Sequence, residues 1–408
     1  MKPVLVVGAG LAGLACAVEL HRAGRSVVVV EAGDGVGGRV RTDERDGFLL
    51  DRGFQVYLEA YPVAGELLDL EALDLKPFEP GALVFDGRKL NRVMDVFRRP
   101  AALPGSLISP VGSLRDKLKV AWLKAKLCRS DDEEIWNRRE LSTEAYLREA
   151  GFSNRMIDVF FRSFYGGIFL ERDLRTSSRM FEFTFKMFSK GMATVPAGGM
   201  QEIPEQLAAR LPEGSVRLKA RVAKVEAGAV TLESGEIIEA ARVVVAAGAS
   251  GAARLVPSFR AFEPAWRSVS NFYFSAPKSP IGEAIIALNG TSDGLVNNVA
   301  VMSDVSARYA PAGQTLVSVA LLGLHPGEGM PGRVLEELRA WFGESVASWK
   351  HLRTDLIEEA LPEQKKTDPV GVRKFGGVLV CGDHAVSASI EGAVISGRAA
   401  AQAVLSSS

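Results

Sequence analysis

Apolar and polar positions in the first thirty residues follow a strand, helix, strand pattern. The apolar run Val4 to Val7 predicts a strand, and the helical periodicity that follows it stops at Gly24. The run Ser26 to Val30 then predicts a second buried strand, which leads directly to the acid Glu31. The sequence Gly8-Ala9-Gly10-Leu11-Ala12-Gly13 joins the first strand to the helix. This is the context in which a glycine-rich turn binds a dinucleotide.

Each residue type in this turn has a physical role. Gly8 permits the tight turn, Gly10 lets the backbone approach a pyrophosphate, and Gly13 lets the helix pack closely on the sheet. The helix N-terminus at Leu11-Ala12 directs unpaired N–H groups toward the phosphates. We expect Glu31 to accept hydrogen bonds from the adenosine ribose hydroxyls and to repel a 2′-phosphate. The turn alone does not distinguish FAD from NAD.

The residues after Glu31-Ala32 separate the two cofactors. After four intervening residues comes Gly37-Gly38-Arg39-Val40-Arg41-Thr42, followed by Asp46-Gly47-Phe48 and Asp51-Arg52-Gly53. This arrangement closely resembles the flavin amine oxidase superfamily, which includes monoamine oxidases, protoporphyrinogen oxidases and phytoene desaturases. In that family E-A-x4-G-G-R marks the FAD pyrophosphate loop. The resemblance implies that Arg39 lies along FAD, that Gly37 and Gly38 let the backbone pass close to it, and that Gly53 belongs to the same site. The alternative for Arg39 is a solvated side chain in a flexible glycine loop.

A second match begins at Ala197-Gly198-Gly199-Met200. It precedes a predicted short helix near residues 203–210 and strands within residues 216–225, 230–232 and 243–247. The resemblance places the backbone near Val222 against the adenine, although a simple core role explains Val222 equally well. Gly248-Ala249-Ser250-Gly251 lacks the full GxGxxG pattern, so we expect no separate nicotinamide-binding domain.

A third match closes the chain. The run Val378 to Cys381 predicts a strand, Gly382-Asp383 follows it, and Glu391-Gly392-Ala393 begins a small-residue helix. The resemblance implies that Asp383 bonds the ribityl or phosphate end of FAD and that the helix N-terminus faces the flavin edge, where charge develops on reduction. Cys381 lies within the strand and not at the position where monoamine oxidases attach flavin, so we expect non-covalent FAD.

The order of these segments predicts an α/β fold with three parts. They are a Rossmann-like FAD-binding domain of the GR2 type, a mixed-sheet substrate domain and a helical insertion. The predicted boundaries are 1–58, 191–262 and 366–408 for the FAD-binding domain, 59–87 and 263–365 for the substrate-binding domain, and 88–190 for the insertion.

The insertion contains a basic amphipathic helix over residues 113–128. Ser113 to Asp116 forms a predicted capping box. An apolar stripe is flanked by lysines; its members are Leu114, Leu118, Trp122 and Ala125, and the lysines are Lys117, Lys119, Lys124 and Lys126. Such a helix either lies on an anionic membrane surface as a peripheral contact or packs its stripe on the core.

Aromatic residues crowd the second half of the insertion. They are Phe160, Phe161, Phe164, Tyr165, Phe169, Phe181, Phe183, Phe185 and Phe188. They line an apolar substrate tunnel or form a helical core. Lys186 and Lys190 are candidates for positioning water or substrate near the flavin, with a snorkelling surface lysine as the alternative. His384, beside Asp383, is a third candidate, with a structural role as the alternative.

Composition argues against several classes of partner and site. Lys plus Arg and Asp plus Glu each number 49, so no net charge recruits nucleic acid. The three cysteines and four histidines form no ligand or disulfide pattern, and we expect no metal. The N-terminus has no secretory signal and no apolar run reaches the roughly 18 residues of a membrane span, which predicts a cytoplasmic protein, peripheral at most. Oligomeric state stays open.

The resemblance implies oxidation of a C–C or C–N bond, with hydride passing to flavin N5 and then electrons to oxygen or a quinone-like acceptor. We expect a desaturase-like or protoporphyrinogen-oxidase-like dehydrogenase for an apolar small molecule. An amine oxidase, which requires an aromatic cage at the flavin, is one alternative. A non-redox flavin-dependent mutase and a flavin-free lipid-binding protein are the others. The joint presence of Glu31, Arg39 and Asp383 argues against the last.

Overall fold

A computed structural model describes residues 2–95, 98–99, 111–291, 293–367 and 369–406. Its strands are β1 (Val4–Val7), β2 (Val27–Val30), β3 (Thr42–Arg45), β4 (Phe48–Asp51), β5 (Tyr57–Leu58), β6 (Leu75–Pro77), β7 (Gly81–Phe85), β8 (Leu90–Met94), β9 (Ala193–Pro196), β10 (Val216–Arg217), β11 (Val222–Glu226), β12 (Ala229–Leu232), β13 (Ile237–Glu239), β14 (Arg242–Val245), β15 (Trp266–Ala276), β16 (Ile286–Asn289), β17 (Val296–Val301), β18 (Thr315–Leu322), β19 (Lys350–Pro362), β20 (Val372–Phe375) and β21 (Val378–Cys381).

The helices of the described residues are α1 (Leu11–Arg22), α2 (Pro62–Leu67), α3 (Leu114–Arg129), α4 (Asp132–Asn137), α5 (Thr143–Glu149), α6 (Asn154–Met156), α7 (Arg162–Phe169), α8 (Ser178–Lys190), α9 (Glu202–Ala208), α10 (Gly248–Leu255), α11 (Met302–Val305), α12 (Met330–Phe342) and α13 (Ile390–Leu405). A π-helical turn at Ile157–Phe161 leads into α7. None of these helices has both the length and the apolar character needed to cross a bilayer.

The first sheet carries the nucleotide-binding turn. Its order is β10-β2-β1-β14-β21-β20, and every neighbouring pair is parallel except β20 with β21. This confirms the doubly wound core. The predicted run 216–225 is divided, because β10 joins this sheet whereas β11 pairs with β12 in a separate antiparallel sheet. Helices α1 and α13 lie together, and a Cβ on Gly397 would overlap the carbonyl oxygen of Ala12.

The second sheet has the order β19-β15-β18-β17-β16-β7-β8. It is antiparallel except for the parallel pair β16 and β7, which confirms a mixed sheet. Strand β8 belongs to it, so the sheet continues beyond the predicted boundary at residue 88. The domain boundaries themselves stay a prediction.

The helical insertion covers one side of this second sheet. The side chain of Ser113 caps α3 by accepting from the backbone N–H of Asp116, and Asp116 bonds back to the N–H of Ser113, so the predicted capping box is present. Five helices, α3, α5, α6, α7 and α8, contribute to one apolar cluster that reaches Val84 and Leu288 of the sheet. The insertion therefore walls off a space above the sheet.

Candidate functional site

The glycine-rich turn fits its predicted geometry. Gly8 has a φ of 105°, and a Cβ there would lie 2.6 Å from the carbonyl oxygen of Ala246. A Cβ on Gly13 would overlap the carbonyl oxygen of Gly8, so α1 can approach the sheet only with glycine at this position. Gly10 precedes α1 without a side-chain cap, and its Cβ direction is open. The first N–H groups of a helix have no partner within it, and Leu11 and Ala12, which carry two of them, line the cavity.

The second glycine loop lies directly against this turn. Gly37 forms a parallel bridge with Gly10, and its N–H donates to the carbonyl oxygen of Ala9 at 2.8 Å. Both Gly37 and Gly38 have positive φ angles, 113° and 61°, which disfavour other residue types. Two segments separated by a helix and a strand thus form one backbone cradle.

Glu31 is fixed at the end of β2. Its carboxylate accepts from the N–H of Ala9 at 2.8 Å and from that of Gly33 at 2.7 Å. Glu31 and Ala32 line the same cavity as Gly10 and Gly38. The carboxylate is thereby held where a ribose would pass, although its contact with a ribose stays a prediction.

Arg39 joins the first cofactor segment to the third. Its guanidinium donates to Asp383 at 2.6 Å and to the carbonyl oxygen of Ala360 at 3.2 Å, and it lies 5.4 Å from the ring centre of Trp266. Asp383 is buried. Three groups therefore hold the guanidinium, and the alternative of a solvated arginine in a flexible loop does not describe it.

The start of α13 differs in part from its predicted role. Glu391 is fully buried, and its carboxylate accepts from the N–H groups of Val63 and Ala64, both at 2.8 Å. It is not among the described residues that line the cavity. Glu391 is therefore corrected from a cofactor contact to a cap of α2, and burial raises the pKa of its carboxyl group.

Gly392 has a packing role at the same helix end. Its N–H donates to the side chain of Ser389 at 2.9 Å, and a Cβ there would overlap the carbonyl oxygen of Ser387. Ala393, one residue further, does line the cavity, as do Ser389 and Gly382. The part of this helix that is available to a cofactor is therefore its small first turn.

One continuous cavity of about 1190 Å³ connects these segments. It exceeds the roughly 300–1,000 Å³ of common ligand pockets. Predicted cofactor residues that line it are Gly8, Gly10, Leu11, Ala12, Glu31, Ala32, Gly37, Gly38, Arg39, Gly53, Val222, Gly382, Asp383 and Ala393. The glycine cradle, the uncapped helix start and a cavity that reaches all three cofactor segments fit a dinucleotide, so the residues present fit FAD.

The far end of the cavity is apolar. The aromatic residues of the insertion divide between its wall and the core. Those that line the cavity are Phe160, Phe164, Tyr165, Phe185 and Phe188, whereas Phe161, Phe169, Phe181 and Phe183 are buried in the helical packing. Phe160 and Phe164 stack on each other at 5.6 Å. Some of these aromatic residues therefore line the cavity, as the tunnel prediction has it, and the others form a helical core, as the alternative has it.

Two of the catalytic candidates lie elsewhere. Lys186 is buried, and its ammonium group donates to the carbonyl oxygen of Ser130 at 2.8 Å and pairs with Asp132. These contacts join α8 to the turn between α3 and α4. Lys186 is therefore neither a residue near the flavin nor a snorkelling surface lysine, and both predictions are corrected. Lys190 is exposed at the end of α8 and is not among the described cavity residues.

His384 packs edge-on against Phe259, with 5.2 Å between ring centres. Burial lowers the pKa of its imidazole, and neither ring nitrogen has a hydrogen-bond partner among the residues described. It does not appear among the described cavity residues. This corrects His384 to a neutral structural histidine.

The stripe on α3 is exposed. Leu114, Leu118 and Trp122 have exposed fractions of 59%, 64% and 58%, the largest apolar side chains on this helix that are not buried. A different face of α3, which includes Lys117, Val120 and Lys124, lines the cavity. Hence the predicted packing of this stripe on the core is wrong for the described residues.

Some cavity residues gave no recognisable signal in the sequence. Trp266 under Arg39, Tyr61 and Asn298 line the cavity but belong to no glycine motif. Each is brought there by strand pairing or helix packing between distant segments. A sequence pattern of local spacing carries no information on such positions.

Known proteins are similar to this chain, some over nearly its whole length and others over one segment. A family model described as flavin containing amine oxidoreductase matches residues 11–405. The 15-cis-phytoene desaturase of Glycine max is 22% identical over 471 aligned residues, which cover 100% of this chain and 80% of that enzyme. Protoporphyrinogen oxidase 2 of Arabidopsis thaliana is 46% identical over 68 residues, which cover 17% of this chain and only 13% of that enzyme. A double mutant of putrescine oxidase, 18% identical, has the same fold with a TM-score of 0.75 and 99% of both chains covered.

Proposed function

Because the chain belongs to the family of flavin-containing amine oxidoreductases and is an FAD-dependent oxidoreductase, we propose that it oxidises a C–C or C–N bond of an apolar small molecule. One observation supports this most directly. The cavity that begins at the glycine cradle continues without interruption into a chamber lined by Phe160, Phe164 and Ile168. A cofactor and an apolar molecule can therefore occupy one continuous space.

FAD, when bound, supplies a hydride acceptor at N5 and passes the electrons to oxygen or a quinone-like molecule. The chain's own residues bind and orient. The N–H groups at the start of α1 and the loop at Gly37-Gly38 would hold the pyrophosphate, and Glu31 the ribose. The Arg39–Asp383 pair would lie along the chain that joins ribose to flavin. The aromatic walls exclude water from the reacting end.

The first test is the visible absorption spectrum of the purified protein, followed by release of the chromophore and its identification by mass. We expect FAD, and we expect anaerobic addition of an apolar substrate to bleach the bound flavin. Amines serve as the comparison class, because bleaching by amines alone would favour the amine oxidase alternative. A product with the mass of its substrate would indicate a mutase. A colourless protein that does not take up FAD would contradict the proposal.

We further propose that FAD is held without a covalent bond. The three cysteines are free, and Cys16 and Cys381 are buried away from the described cavity wall. Burial raises the pKa of Cys381 to about 12, so its reactive thiolate form is suppressed. Acid precipitation should release all flavin into the supernatant, and flavin retained in the pellet would contradict this.

We propose that the exposed stripe on α3 binds the surface of an anionic membrane. The stripe Leu114, Leu118 and Trp122 is accompanied by the exposed cations Arg115 and Arg129. Apolar insertion combined with basic charge is the chemistry of interfacial helices. Since another face of α3 lines the cavity, a bound membrane would adjoin the cavity wall.

Co-sedimentation with phosphatidylserine-containing vesicles tests this contact. We expect binding at low salt that weakens at moderate salt. A variant with Leu118→Glu and Trp122→Glu should lose binding, whereas Ile237→Glu, a matched change at a 65% exposed apolar residue on β13, should retain it. Equal binding by both variants would remove the membrane proposal.

A further inference from the structure

Asn298 on β17, a residue of the cavity wall, carries a buried hydrogen-bond donor without a partner among the described residues. The residue is only 4% exposed and belongs to the cavity wall. Its amide nitrogen Nδ2 has no hydrogen-bond partner among the described residues. Buried polar atoms almost always have a partner, because leaving one unpaired costs free energy. An unpaired donor on a cavity wall therefore indicates that a ligand completes it.

Neighbouring groups fix the orientation of the Asn298 amide. Nδ2 of Asn297 donates to Oδ1 of Asn298 at 3.0 Å and, more weakly, to the carbonyl oxygen of Ser163 at 3.4 Å. A carbonyl oxygen can only accept, so Asn297 must turn its nitrogen to that side. Exchange of oxygen and nitrogen on Asn298 would then place two donors face to face. The amino group of Asn298 is thus directed away from Asn297.

A close approach of α7 holds this amide pair in place. A Cβ on Gly167 would lie 2.9 Å from Nδ2 of Asn297 and 3.3 Å from Oδ1 of Asn298. Across the sheet, Asn298 is opposite the small residue Ala320, which also lines the cavity. A glycine and an alanine therefore leave just enough room for the amide pair between α7 and the sheet.

The surroundings of Asn298 are otherwise apolar. Leu288 on the adjoining strand β16, Val269 on β15 and Ile168 on α7 line the same cavity. Asn271, on the next strand but one, is satisfied within the protein, because its amide exchanges hydrogen bonds with the hydroxyl of Ser318. Asn298 therefore differs from a buried asparagine that serves only the sheet.

We propose that Asn298 is a specificity-determining residue that donates a hydrogen bond from Nδ2 to a carbonyl or carboxylate oxygen of the substrate. This rests on the proposed function and deepens it. The substrate would then be an apolar molecule that carries one acceptor oxygen at a fixed distance from its apolar end. A pure hydrocarbon leaves the amide unpaired and binds more weakly.

Two probes of the same shape test this. 2-Acetylnaphthalene and 2-isopropenylnaphthalene differ in carrying C=O or C=CH₂. Equilibrium dialysis against the protein as purified gives the two dissociation constants. We expect wild type to bind the ketone about tenfold more tightly, which corresponds to about 1.4 kcal/mol. Weak binding of both, or equal binding, overturns the inference.

Variants assign the preference to one residue. Asn298→Asp at alkaline pH keeps the oxygen toward Asn297 and replaces the donor by an acceptor, so the preference should vanish or reverse. Asn298→Leu should also abolish it, which covers the case in which the buried carboxylate prevents folding. Asn271→Asp is the matched control in the same sheet and should retain the preference. Retention by either Asn298 variant overturns the inference.

The same samples separate this inference from the proposed function, because bound FAD and its bleaching are measured independently of dialysis. A protein that holds FAD and is bleached by substrate but does not distinguish the probes contradicts only the role of Asn298. A protein that prefers the ketone but takes up no FAD contradicts only the proposed function.

Discussion

Alanine at Gly10 should weaken FAD binding without weakening the fold. Gly10 has a φ of −72° and a ψ of 175°, which alanine adopts without strain. A Cβ there meets no protein atom within 4 Å, so the new methyl group enters the cavity at the start of α1. We expect the free energy of unfolding of the apoprotein to stay unchanged or to rise by about 0.4–1 kcal/mol. Affinity for FAD should fall about 10- to 100-fold, or about 1.4–2.7 kcal/mol.

Alanine at Gly13 should behave differently. Its Cβ would overlap the carbonyl oxygen of Gly8 and lie 3.3 Å from Cβ of Ala246. Helix α1 must therefore move from the sheet, and overpacking of this kind costs about 1–3 kcal/mol. Gly13→Ala should lose both stability and FAD affinity.

The assay titrates FAD into apoprotein and follows flavin fluorescence, with urea unfolding of the same apoprotein by circular dichroism. Gly332→Ala in α12 is the control, because its Cβ meets no protein atom within 4 Å and the residue is remote from the described cavity wall. It should gain up to about 1 kcal/mol and keep wild-type FAD affinity. Wild-type affinity in Gly10→Ala would refute the placement of the pyrophosphate at this turn.

Other changes test single side chains. Burial raises the pKa of Asp51 to about 6 despite a hydrogen bond from Tyr309, so its carboxyl holds a proton more tightly in the folded state. The free energy of unfolding should therefore fall by about 3 kcal/mol as the pH rises from the ordinary pKa of an aspartate to about 6. In Asp51→Asn, the urea midpoint should change less over the same pH range. Lys186→Met leaves Asp132 unpaired and should cost about 1–3 kcal/mol of unfolding free energy, while stopped-flow flavin reduction keeps its wild-type rate; a slower reduction at full stability would restore Lys186 to the chemistry. The pKa of His384 is lowered, so this residue costs stability as pH falls below about 6.5; His384→Leu should raise the melting temperature more in acid than at alkaline pH, and an equal effect at both would contradict a buried neutral imidazole.

Local spacing was sufficient for the nucleotide-binding core. The bounds of β1 and α1, the stop at Gly24 and the capping box at Ser113 all depend on neighbouring residues, and the structure has them. The mixed sheet was also predictable, because its strands appear as separate apolar runs. The meeting of Gly10 with Gly37 follows from the family pattern but could not be derived from either turn alone.

Long-range pairing explains what the sequence did not reveal. Lys186 resembles a surface lysine until Ser130 and Asp132, more than fifty positions earlier, are brought against it. Asn297 and Asn298 interrupt the apolar pattern of β17. The sequence therefore did not predict this strand or the unpaired amide nitrogen of Asn298. The acid at Glu391 matched a flavin motif, yet its partners lie in α2.

The close approach of α13 to α1 has a consequence for biosynthesis. Gly397 lies against the backbone of Ala12, so the helix that follows the glycine-rich turn acquires its neighbour only when the last part of this sequence leaves the ribosome. At roughly 5–20 residues per second, the two helices emerge tens of seconds apart. Throughout that interval the nascent chain exposes an apolar helix face that chaperones can occupy. The contact between these two helices, and with it the support of the glycine-rich turn, therefore forms only after α13 has emerged.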